Sequence, residues 1–100
     1  MSARLTKAQP NLDEAGITAA FARERLSPHK WSNGPGDTYA PHSHAYHKVL
    51  YCIRGSIIFQ LTRTGDSIEL HSGDRLDIEP NTEHSATVGP NGVDCIEAAR

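Results

Sequence analysis

One hundred residues, 22% of them charged and with a formal net charge of -2, make one domain with a modest core and leave no room for a second. The near balance of charge, with no basic stripe and no interleaving of aromatic and basic side chains, argues against a nucleic-acid partner. The opening stretch carries basic residues with no apolar run behind them, and nothing later approaches a membrane span. The expectation is a soluble, cytoplasmic chain whose Cys52 and Cys95 stay reduced and buried as small hydrophobes.

Residues 1–10 read as a flexible arm ending at Pro10, followed by a single domain over 11–100. Across 11–26 the acidic residues come early, the arginines late, and Leu12, Ile17, Ala20 and Phe21 recur at helical spacing. Asn11 or Asp13 caps this short amphipathic helix and Pro28 ends it. Residues 27–38, dense in Ser, Gly, Pro and Asn, read as a loop. His29 is solvated in it, and Trp31, the only tryptophan, covers the barrel or the helix rather than stacking on a ligand.

From 46 to 54 the chain is apolar on both faces, with Leu50 and Cys52 alternating against Val49, Tyr51 and Ile53. Such a strand needs cover within from the opposite sheet and without from a helix or a second subunit, so a homodimer is expected. Further strands are predicted at 56–62, 67–71, 76–78, 84–88 and 93–97, the last after a turn at 89–92. About seven short strands with regular turn signals predict an all-β barrel or sandwich.

The chemistry concentrates in three histidines. Pro41 favours extended backbone, so His42 and His44, two apart, share a face. His84 follows a Pro80-Asn81 turn and can bring a third imidazole from a neighbouring strand. Continued alternation places Tyr46, Lys48, Leu50 and Cys52 on the face of His42 and His44. It turns His47 away, toward the surface or an interface, unless a bulge reverses the parity. His71, before a Ser-Gly-Asp turn, reads as exposed. The three imidazoles form either a hydrated polar mouth or a metal site. Gathered nitrogens need partners, and three neutral ones with open positions suit Zn, Fe, Ni, Cu or Mn. Lys48 can pair with Glu79, Glu83 or Glu97, hold an anionic substrate beside the metal, or donate a proton. Tyr46 can donate to a substrate oxygen or simply pack.

These residues resemble the two motifs of the cupins. Gly36, His42, His44 and Gly55 fit the first in register. Gly73, Asp74, Leu76, Ile78, Pro80 and His84 follow the second, with Asn81 where glycine is usual and Val88 where asparagine is usual. The resemblance implies an all-β fold, a small double-stranded β-helix (jelly-roll) barrel of about seven strands with one short N-terminal helix. It also implies His42, His44 and His84 as ligands of a divalent transition metal. The family's metal-binding glutamate would fall at position 48, where Lys48 has no lone pair to offer and repels a cation. Three functions remain open. One is a metal-binding module that holds a small, carboxylate-bearing molecule, with Lys48 and Tyr46 contacting it. Another is a metal-dependent dioxygenase, isomerase or decarboxylase acting on such a molecule. The third is an interaction module with a vestigial, metal-free pocket.

Overall fold

The computed structural model describes residues 2–9 and 12–100. Among these lie seven strands and one helix: β1 (Ala3–Thr6), α1 (Glu14–Arg23), β2 (His29–Asn33), β3 (Thr38–His42), β4 (Lys48–Leu61), β5 (Asp66–His71), β6 (Arg75–Ile78) and β7 (His84–Ala99). All pairings are antiparallel. The order is β1-β6-β4-β7-β2, with β3 also beside β7 and β5 beside β4.

The two long strands hold the structure together. β4 and β7 run alongside each other from Lys48 opposite Ala99 to Leu61 opposite His84, with register shifts between Cys52 and Arg54 and between Gly55 and Ile57. At the second shift Gly55 has φ 79°, and a Cβ there would stand 1.9 Å from the carbonyl oxygen of Gly92. Only glycine fits, because the left-handed conformation and the close approach coincide. These irregularities bend both strands, so that each serves both ends of the barrel.

Alternation across β4 sorts the apolar residues into two cores. Leu50, Cys52, Ile57 and Phe59 face inward with Leu70, Leu76, Val88 and Cys95. Val49 and Tyr51 face outward with Ile96 and Ala98 of β7, and on them lie Ile17, Ala20 and Phe21 of α1. Asp13 caps the helix by accepting from the Gly16 amide at 2.9 Å. Phe21 meets Tyr51 edge-on at 5.4 Å. Beyond the helix, Glu24 binds the guanidinium groups of Arg75 and Arg100, which hold its carboxyl below the usual carboxylate range despite partial burial. The outer cover expected from a helix or a second subunit therefore comes from the chain's own helix. The double-faced strand is no argument for a dimer.

Four expectations change. The N-terminal stretch expected as a flexible arm contributes β1, which pairs with β6 from Ala3 opposite Ile78 to Thr6 opposite Arg75. Its expected end at Pro10, and Asn11 as the alternative cap, lie outside the described residues. The expected loop over 27–38 contains β2, which pairs with β7 from His29 opposite Glu97 to Asn33 opposite Val93. His29 is exposed, as expected, but sits on that strand. Finally, the strands expected at 46–54 and 56–62 are one continuous strand, as are those at 84–88 and 93–97. The glycines between them make bends rather than turns. Among the described residues no helix is long and apolar enough to cross a membrane.

Candidate metal centre

His42 is the last residue of β3 and stands directly opposite His84, the first of β7. His44 lies two residues beyond β3, in the link to β4. That link is fixed from the other motif, since the Asn81 amide donates to the His44 carbonyl at 2.7 Å. Asn81 has φ 63°. Asparagine tolerates this left-handed conformation better than other non-glycine residues, which accounts for its standing where glycine is usual.

The three rings gather as the sequence led one to expect. Centroids of His42 and His44 are 4.8 Å apart, of His42 and His84 4.4 Å, and of His44 and His84 5.4 Å. One nitrogen from each ring lies within 4.8 Å of the others. The backbone sets two of the tautomers. His42 Nδ1 donates to the Ala40 carbonyl at 2.7 Å and His84 Nδ1 to the Thr82 carbonyl at 2.9 Å. Since a carbonyl can only accept, the hydrogen of each ring sits on Nδ1 and the lone pair on Nε2. Nε2 of His84 and of His44 is buried and has no hydrogen-bond partner. Burial, and then the positive charges that neighbouring groups would carry, lower the pKa of both rings below the ordinary histidine value. For His44 and His84 this favours the neutral form that metal ligation requires.

Beside the trio opens a cavity of about 270 Å³. His42 and Lys48 line it toward the histidines, Leu50, Ile57, Phe59 and Ala86 form its apolar wall, and His29, Trp31, Tyr39 and Glu97 complete it. Of the three carboxylates considered for Lys48, the structure selects Glu97, with Nζ 3.4 Å from Oε2 and both side chains only about a tenth exposed (12% and 11%). Glu97 also accepts from Trp31 Nε1 at 2.6 Å. Trp31 therefore covers the barrel and walls the cavity at once. Glu97 was identifiable only as one of three carboxylates, although an acid two residues after the inward-facing Cys95 marks it as inward-facing too.

The remaining candidates separate from the trio. Tyr46 stacks on His44 at 4.9 Å with 38% of its surface exposed, and it does not line the cavity. His47 points away, Nε2 lying 2.9 Å from Asp77 Oδ1, so no bulge turns it into a fourth ligand. His71 is exposed and faces Glu69 at 3.0 Å. Cys52 and Cys95 lie opposite each other on β4 and β7 as buried free thiols.

Known proteins share this architecture. An RmlC-like cupin from Shewanella frigidimarina is 24% identical with a TM-score of 0.64, over 74% of this chain and 64% of its own. A DUF861 family protein from Thermotoga maritima is 10% identical with a TM-score of 0.69, over 99% of this chain and 100% of its own. The polyketide cyclase RemF from Streptomyces resistomycificus is 21% identical with a TM-score of 0.67, over 74% of this chain and 53% of its own. At such identities the likeness shows the fold alone. The chain spans less than two thirds of the Shewanella protein and about half of RemF. No curated protein matches the sequence. Residues 31–95, which hold all three histidines and Lys48, match the AraC-like ligand binding domain family, and the chain accordingly belongs to that family, built on a small cupin barrel.

Proposed function

We propose that this protein binds a divalent transition metal through His42, His44 and His84 and holds a small anionic molecule in the adjoining cavity, as a sensor or carrier. The observation that carries this reading is the pair of buried, unpartnered nitrogens, His44 Nε2 and His84 Nε2, facing one point together with His42. An unpartnered buried polar atom costs about 1–3 kcal/mol, a cost a bound cation removes. When bound, the metal supplies a Lewis acid.

Lys48 supports the anionic part. Its ammonium carries three N–H donors, and Glu97 lies at 3.4 Å, longer than the ~2.7–2.9 Å of a good charge-assisted bond. Donor capacity therefore remains for a carboxylate in the cavity. Three neutral ligands leave the dication uncompensated, so an anion is favoured there a second time. Membership of a ligand-binding family fits a small molecule as the occupant.

Elemental analysis of untagged protein, purified without chelator, tests the reading. About one Zn, Fe, Mn, Ni or Cu per chain is expected, falling to background in His84→Ala. A wild-type protein that neither carries nor takes up any of these metals would refute it. Steady turnover of small carboxylates by the loaded protein, lost in His84→Ala, would replace holding with catalysis.

A further inference from the structure

The cavity next to the histidines is walled unevenly, and the unevenness carries chemical information. Three aromatic rings line it. Trp31 and Tyr39 stand edge to face at 6.0 Å with an interplanar angle of 66°, and the buried Phe59 lies 6.1 Å from the ring of His84. Leu50 and Ile57, both buried, continue the apolar surface. The charged groups are a single pair, Lys48 with Glu97, and Glu97 is in turn fixed by the Trp31 indole N–H.

Resting on the anion-holding reading above, we propose that the occupant is a planar aromatic carboxylate. Its carboxylate lies toward Lys48 and the three histidines, and its ring is packed among Trp31, Phe59 and Leu50. Size agrees: an apolar cavity of roughly 150 Å³ holds a benzene ring, and about 270 Å³ leaves space for a carboxylate and one or two further substituents. Aromatic surfaces favour another ring beyond the gain from area alone, and two such contacts amount to roughly a tenfold preference over a saturated ring. The Lys48–Glu97 pair contributes direction. Glu97 repels a carboxylate on its own side, so the anion approaches Lys48 from the side away from Glu97.

The test compares benzoate with cyclohexanecarboxylate on zinc-loaded protein by titration calorimetry. Both carry one carboxylate, and the saturated ring is the more hydrophobic, so burial of area alone would not favour benzoate. Benzoate is expected to bind at least fivefold more tightly and to shift the indole N–H signal of Trp31, the sole tryptophan, in a nitrogen–proton correlation spectrum. Trp31→Leu should bring the two affinities within twofold. If both acids bind with less than a fivefold difference, or if the indole signal stays fixed while benzoate saturates, the aromatic assignment is overturned and the anion-holding reading survives. If neither binds, the anion-holding reading falls with it.

Discussion

Replacing His84 with leucine separates the requirements of folding from those of metal binding. His84 is 1% exposed, its Nε2 has no partner, and its Nδ1 donates to Thr82 at 2.9 Å. Leucine removes an unpartnered nitrogen that costs about 1–3 kcal/mol and forfeits a hydrogen bond with a net value of about 1 kcal/mol. Its volume is close to that of histidine, and Phe59 and the inner core stand ready to pack against it. The metal-free variant should therefore lie between neutral and about 2 kcal/mol more stable than wild type, raising Tm by up to roughly 10 °C in a chain of this size. With zinc at a hundredfold excess over its Kd, wild type should gain about 2.7 kcal/mol, and His84→Leu should gain little. Urea and thermal melts in EDTA and in excess zinc measure both quantities. A loss of more than about 1 kcal/mol in EDTA would mean that histidine is needed there for packing, and an undiminished zinc response would remove His84 from the ligand set.

Lys48→Met should cost about 3 kcal/mol by leaving the Glu97 carboxylate buried without its cation, and adding Glu97→Gln should restore most of that; additive losses in urea melts would refute the pairing. Phe21→Ala should cost about 3–5 kcal/mol by emptying the contact between α1 and Tyr51, yet leave metal stoichiometry unchanged, because the outer core is separate from the histidines. Burial alone would raise the Asp74 carboxyl, but the amides of His71 and Ala8 and the ammonium of Lys7 outweigh it and hold the pKa below the ordinary value. A depressed folded-state pKa gives stability that is present above the unfolded pKa of about 4 and is lost as pH falls through the folded value. Asp74→Asn should thus destabilise by about 2–3 kcal/mol from pH 5 to 7, with the difference from wild type shrinking below about pH 4. A gap that stays constant down to pH 2 in acid denaturation would show that the charge is immaterial.

The parts of the fold legible in the sequence are those governed by side-chain parity. Leu50 and Cys52 inward, Val49 and Tyr51 outward, and His47 turned from His44 all follow from alternation along one strand. His42, His44 and His84 were readable because Pro41 and the Pro80-Asn81 turn constrain the local backbone. β1 and β2 were not, since ARLT and HKWSN carry no strong apolar alternation. Their backbone pairing with partners sixty or more residues away makes them strands, and no local signal reports it. Gly55 reads as a break between two strands and the run from Gly89 to Gly92 as a turn, because glycine is normally punctuation. The pairing of β4 with β7 through both segments overrides that preference and makes them bends. Trp31 in the cavity wall was hidden for the same reason as β2, whose register against Cys95 aims the indole.

The sheet is a single residue thick where β7 passes between the cavity and α1. Glu97 faces the ligand side, while its covalent neighbours Ile96 and Ala98 support Ile17, Ala20 and Phe21. A molecule that displaces the Glu97 carboxylate pulls on a peptide segment whose other face is the seat of the helix. Filling the interior would thus be felt on the exterior through one backbone step.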